Sequence, residues 1–300
     1  RSTPKPSSAA SDVYKRQLIG SSIFKALKKK SSIKKIITFD NNKSAMEVIK
    51  KDNLTDKIVS SSAEAVKNSD LVLISTPSSS FTSVIGEIKE SLKSGSILTD
   101  TLSVKKGFEV KLDDVNWIPS HPVAGTEKSG PAAGQENLFE NRWTIITPSK
   151  NAKEPDIKKV SLFWETMGSK VKIMSPDEHD KILSITSHLP HVIAYNIVKT
   201  VMGHDKKMQN DIIQYSAGGL RDFTRIAASE PTMWRDIFID NSDLIIQAID
   251  NFSKNLDEFK KVIADKDGKK LIEIFNKSKE LRKSIIKAGQ ETDKPDFGRK

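Results

Sequence analysis

The fold of this chain is most restricted by an alternation of short apolar runs with helical segments, which lasts to about residue 174 and then gives way to helix alone. Ile36 to Asp40, Asp70 to Ile74, Ser96 to Asp100, Asp114 to Ile118, Trp143 to Thr147 and Lys170 to Met174 have the length and apolar content of buried strands. Between them lie helical segments: one opened by Leu18-Ile19-Gly20-Ser21-Ser22-Ile23, one at Ala63 to Val66, one over Val84 to Leu92, and one from Pro155 to Met167. Strands alternating with helices predict a doubly wound, mostly parallel sheet. From Asp177 to about Gly289 only helical periodicity remains. There Ile245, Ile249, Phe252, Leu256 and Phe259 fall at steps of four, three, four and three, a stripe suited to a core or a dimer seam. The expected division is an α/β domain over 18–174 and an all-helical domain over 175–300. Residues 1–17, rich in Ser, Pro, Ala and basic side chains, read as a tail foreign to the fold.

The polar segments fall where such a sheet binds ligands. Ser120 to Gly134 carries His121, Glu127 and Lys128 among three glycines and two prolines, and reads as a loop. It follows an apolar run ending in Trp117-Ile118, at a strand's end. Gly20 and Asp40, 20 residues apart, match the last glycine of a dinucleotide fingerprint and the acid that binds the ribose hydroxyls. The fingerprint's first strand and two earlier glycines would have fallen at Val13 to Gln17, where the sequence does not supply them. Ile19, Gly20, Asp40 and the strand-end loop Ser75-Thr76-Pro77 are the candidate cofactor-binding residues. An acid at position 40 repels a 2′-phosphate, so the expected cofactor is NAD rather than NADP.

In the helical half, Ser187-His188-Leu189-Pro190-His191 and Gly218 to Arg225, followed by Met233-Trp234-Arg235-Asp236, have compositions that packing does not explain. His188 and His191 lie three apart and are readable as a metal pair. No further ligand stands at a suitable spacing, so no metal is expected. The absence of cysteine excludes disulfides and thiolate chemistry and fits a cytoplasmic enzyme. No apolar run approaches the roughly 20 residues that span a bilayer. The net charge of +10 is dispersed among acidic residues, which argues against nucleic acid and for attraction of a small anionic substrate.

Taken singly, Ser103 is a helix N-cap, Arg225 a surface arginine and Trp234 a packing residue. In order, however, Leu18-Ile19-Gly20-Ser21-Ser22, Asp100-Thr101-Leu102-Ser103-Val104-Lys105, the His121-to-Gly130 loop, Ser187 to His191, and Arg221 to Arg225 through Met233 to Asp236 resemble the prephenate dehydrogenase family and its arogenate dehydrogenase siblings. The resemblance runs from Leu18 to about Phe259. It implies a nucleotide-binding α/β domain, a helical domain that makes a homodimer, and NAD-dependent oxidative decarboxylation of prephenate or arogenate. His121 matches the catalytic histidine, and Ser103 the serine that positions it and the substrate hydroxyl. Arg225 matches the arginine on a substrate carboxylate, and Glu127 its acidic partner. His188, His191, Asp222 and Trp234 are expected to contact substrate or wall its pocket. About forty residues follow Phe259, too few for the amino-acid-binding regulatory domain that many members carry. A β-hydroxyacid dehydrogenase and a non-catalytic helical dimer remain the rival readings.

Overall fold

A computed structural model describes residues 14–28, 35–112, 114–125 and 130–288. Glu127 and Lys128 lie outside the described residues, as do residues 1–13. Two compact units divide the chain, one reaching to Ile245 and the other starting at Ile246.

In the first unit, α1 (Tyr14–Lys28) leads to β1 (Ile37–Thr38), α2 (Lys43–Lys51), β2 (Lys57–Ile58), α3 (Ser62–Val66), β3 (Leu71–Ile74), α4 (Ser78–Ile88), β4 (Ile97–Asp100) and β5 (Asn116–Trp117). Parallel ladders join β1 to β2 and run through β3, β4 and β5. In a doubly wound sheet of order 3-2-1-4-5-6, these are the ladders on either side of the first strand.

β4 shows why the sheet is covered on both faces. Ile97 points into a core with Leu18, Ile23 and Leu27 of α1, whereas its neighbour Leu98 joins Phe81 and Ile88 of α4 on the other side. Successive side chains of a strand alternate faces, so an unbroken apolar run requires helices above and below.

Three expectations need correction. α1 begins at Tyr14, not Leu18, which places Gly20 inside the helix and not at its start. Lys15 and Gln17 stand where the fingerprint has its earlier glycines, and neither resists helix, so the turn carries on through them. β2, which contains the polar Lys57, has no apolar run to mark it, and α4 begins six residues before Val84 because Pro77 and the following serines suit a helix start. Finally, Ser120 to Pro122 is not loop but β6, paired antiparallel with β7 (Trp143–Ile146), which pairs in parallel with β8 (Lys170–Ile173). Pro122 is tolerated because it ends the strand; Val123 N–H takes up the next ladder bond to the Trp143 carbonyl. The strand places His121 opposite Ile145.

After α5 (Glu154–Thr166), the helices α6 (Pro176–Leu183), α7 (Leu189–Met202), α8 (Lys206–Gln214), α9 (Gly218–Thr224) and α10 (Pro231–Asp240) complete the first unit. A capping box of Ser175 and Glu178 starts α6. A π-helical turn, Ser184–His188, connects α6 to α7, and Pro190 fits because it falls in the first turn of α7. Val104, Trp234 and Ile237 pack together with Phe108 and Tyr195, tying the segment after β4 to α7 and α10. The change from α/β to helix at residue 175 is thus a change of secondary structure inside one compact unit.

The second unit consists of most of α11 (Ser242–Ala264) and α12 (Gly268–Lys287), with Phe259 stacked on Phe275 at 6.4 Å between centroids. Leu256, Ile263, Ile272, Phe275, Leu281 and Ile285 are exposed on these helices.

Candidate active site

A buried polar knot fixes the strand that carries the candidate base. Ser120 Oγ donates to the Asp100 carbonyl at 2.7 Å and accepts from Trp164 Nε1 at 3.0 Å, with Thr99 Oγ1 at 2.9 Å. Lys105 Nζ reaches both Asp100 Oδ1 (2.6 Å) and the Ser120 carbonyl (2.5 Å), and Trp117 Nε1 donates to Asp100 Oδ2. Both charges of the Lys105–Asp100 pair are sealed from water, a cost offset by the further hydrogen bonds that Asp100 accepts from the Leu102 amide and Trp117 and that Lys105 donates to the Ser120 carbonyl. Ser120→Ala orphans the Trp164 indole and the Asp100 carbonyl together, so a loss of about 1–3 kcal/mol is expected in urea unfolding. A loss below 0.5 kcal/mol would show that the knot does not anchor the strand.

The knot holds His121 at the wall of a cleft of ≈ 320 Å³. Leu18 and Ile19 of α1, Thr101 and Ser103 after β4, and His121 to Gly125 form one side; His188, His191, Arg225, Met233 and Trp234 form the other. Seven residues singled out from the sequence thus share one cavity: Ile19, Ser103, His121, His188, His191, Arg225 and Trp234. No helix follows Ser103, so it is not an N-cap.

The remaining candidates lie elsewhere. Asp222 is exposed on α9 and outside the lining. Asp40, just past β1, accepts from the Asn42 amide at 2.8 Å. Thr76 and Pro77 follow β3 at its C-terminal end, with Ser75, whose Oγ accepts from Thr101 Oγ1 at 3.2 Å. A Cβ on Gly20 would meet only Ser75 Oγ, at 3.9 Å, so α1 passes close to the strand-end loop that Ser75 shares with Thr101. Of the candidate cofactor-binding residues, Ile19 lines the cavity, beside Thr101 and Ser103, whereas Gly20, Asp40 and Ser75 to Pro77 lie outside its lining. The Gly-x-Gly turn of the pyrophosphate site is replaced by helix.

Hydrogen bonds set the protonation of the histidines. Asn241 lies 3.1 Å from His188 Nδ1; its amide group donates, which puts the imidazole proton on Nε2. Burial pushes the His188 pKa down to about 4, against an opposing pull from Asp180. His191 donates from Nδ1 to the Ser187 carbonyl and stacks on Trp234 at 3.5 Å. Because His188 is neutral in the fold, the unfolded chain binds the extra proton between about pH 6.5 and 4. Stability therefore falls as pH drops through that window, by about 3 kcal/mol at its lower end for this residue. His179, also pushed down by burial, adds in the same direction. Urea midpoints measured from pH 7 to 4 should flatten in His188→Gln; an unchanged slope would show that His188 is charged in the fold.

The sequence did not single out His179, Asp180 or Asn241. His179 Nε2 is 2.8 Å from His121 Nδ1, and His179 Nδ1 is 2.6 Å from Asp180 Oδ1. The only sequence signal was a His-Asp pair on the inward side of a helix with a strong cap, which lacks meaning until α6 is seen against β6.

A nucleotide-type sheet, a cleft between it and a helical segment, and an oriented histidine in that cleft together define a dehydrogenase class. Residues 23–173 match the nucleotide-binding domain of prephenate dehydrogenase, and residues 175–277 match its dimerization domain; the chain belongs to the prephenate dehydrogenase family. A cyclohexadienyl dehydrogenase from Zymomonas mobilis is 36% identical over 89% of this chain and 93% of its own. A prephenate dehydrogenase from Bacillus subtilis is 32% identical over 89% of this chain and 74% of its own. The crystal structure of prephenate dehydrogenase from Aquifex aeolicus in complex with hydroxyphenyl propionate and NAD+ aligns with a TM-score of 0.81 at 32% identity, covering 89% of this chain and 95% of that one.

Proposed function

We propose that the chain is an NAD-dependent prephenate dehydrogenase acting in tyrosine biosynthesis, and that it works as a cytoplasmic homodimer. The reaction takes prephenate and NAD+ to 4-hydroxyphenylpyruvate, carbon dioxide and NADH. The observation that carries this reading is the meeting of His121, Ser103 and Arg225 around one cleft that also borders Ile19 and Thr101 of the nucleotide-binding layer. Bound NAD supplies the hydride acceptor. His121 takes the proton of the ring hydroxyl as the C4–H bond breaks, and Ser103 helps to orient that hydroxyl. Arg225 presents a planar fork to a substrate carboxylate. His188, with Nε2–H, serves as a neutral donor, and the stacked pair of His191 and Trp234 walls the cavity. Loss of the ring carboxylate and aromatisation drive the step, so the protein mainly orients and deprotonates.

The helical part supports the dimer, since it matches a dimerization domain and exposes apolar side chains on α11 and α12. The direct test follows absorbance of NADH at 340 nm with prephenate, arogenate and a small β-hydroxyacid as alternative substrates. Turnover confined to the β-hydroxyacid would overturn the reading.

The replaced pyrophosphate turn also makes a prediction about the cofactor. Glycine at positions 15 and 17, preceded by an added apolar strand, would make α1 start near Gly20 and free its N-terminus for the pyrophosphate. NADH affinity, read by fluorescence titration, should rise by about tenfold or more, which corresponds to about 1.4 kcal/mol. Equal affinity before and after the change would count against the dinucleotide assignment.

A further inference from the structure

We propose that His179 and Asp180, on α6, are positioning residues that fix the tautomer and orientation of His121. This deepens the dehydrogenase reading and rests on His121 being its base.

The chain of hydrogen bonds starts at the Asp180 carboxylate. Asp180 Oδ1 accepts from the Lys105 amide at 2.9 Å and Oδ2 from the Lys106 amide at 2.8 Å, and Asn241 Nδ2 donates to its main-chain carbonyl. Burial works to raise the Asp180 pKa, but the His179 hydrogen bond and the two amides outweigh it and hold the group below the usual range. Asp180 is therefore an anion with acceptors only, and the 2.6 Å contact to His179 must run from Nδ1–H. His179 is fully buried, and burial lowers its pKa, so its other nitrogen carries no proton. At 2.8 Å, Nε2 of His179 can then only accept, and His121 must donate from Nδ1–H. The His121 proton is thereby kept off Nε2, leaving that nitrogen as the ring's base.

The surroundings leave Asp180 in charge of this chain. Lys105 and Asp100 also face His179, but they neutralise each other at 2.6 Å. His188, on the π-helical turn, is neutral. The two amides on Asp180 follow Ser103 by two and three residues, so one carboxylate braces both the segment of the substrate-orienting serine and, through His179, the base. Burying an anion and an imidazole is a cost that an apolar pair of similar volume would avoid, whereas a carboxylate–imidazole chain ending at a base has the orienting arrangement used by hydrolytic triads.

Two measurements decide the matter. In the unsubstituted full chain, long-range 15N–1H NMR at neutral pH should show His121 as the Nδ1–H tautomer; the Nε2–H tautomer overturns the proposal. This readout does not depend on turnover. A chain that shows Nδ1–H at His121 yet fails to oxidise prephenate keeps the positioning role and sinks the substrate assignment instead. In kinetics, His179→Phe should lower kcat by about 10²-fold with KM within about twofold. His179→Gln, whose amide can accept from His121 and donate to Asp180, should recover kcat to within about tenfold of the unsubstituted enzyme. Unchanged kcat in His179→Phe, or a folded His179→Gln no better than His179→Phe, would refute positioning.

Discussion

His121→Asn is expected to lower kcat for prephenate by about 10²–10⁴ while leaving KM within about twofold, the share that a positioned general base normally holds. Asparagine keeps a donor that can face His179 and fills similar space, so β6 and the Ser120 knot should survive. The base alone is removed. Far-ultraviolet dichroism and NADH titration should match the unsubstituted chain, which separates a chemical loss from a structural one. If turnover persisted, the proton would have to leave through another group on the cleft. The rival β-hydroxyacid dehydrogenase reading expects a lysine there, and the described lining contains none. The lining instead supplies His188 and His191. Of these, His188 has its proton on the wrong nitrogen for a base, because Asn241 holds Nδ1 as the acceptor.

How far the sequence led depended on whether a residue's role is written in local pattern or in depth. β3 and β4 were legible because both faces of each strand are buried and the apolar run is continuous. β6 was not, because its three residues Ser-His-Pro are held by a buried serine knot and a partner strand more than twenty residues later, neither of which leaves a periodic trace. The start of α1 failed for a related reason. The fingerprint led us to expect a helix beginning near Gly20, but without the earlier glycines nothing local stops the helix from extending back to Tyr14. In the site, the motif order brought out the residues that touch the cleft, including Ser103 and Trp234, which singly had ordinary structural explanations. It did not reveal the layer behind them. Asp180 and His179 on α6, and Asn241 between α10 and α11, are polar residues that look solvated until packing shows them 0%, 0% and 5% exposed. Asp222, three residues before Arg225, is exposed on α9 and outside the cleft lining.

Arg225→Ala is expected to weaken prephenate binding by about 2–5 kcal/mol, the range for removing one partner of a hydrogen-bonded charge pair that is sheltered on binding. The arginine stands in the 3-10 turn Arg225–Ala228 that follows α9, at the rim of the cleft. Its residue is exposed, which puts the expectation toward the lower end of that range, since water competes for the guanidinium at the rim. The loss should appear in KM with kcat little changed, because a carboxylate remote from the C4 carbinol is held alike in the ground and transition states. Arg225→Lys should recover only part of the loss, since a point charge cannot reproduce two parallel hydrogen bonds. NADH affinity should not move in either variant, as the turn lies among the helices rather than at the strand ends. An arginine with no substrate contact would instead give Ala and Lys variants that agree within about 0.5 kcal/mol. That outcome would move the carboxylate site to another cation, and Arg221, one helical turn earlier on α9, would be the next position to substitute.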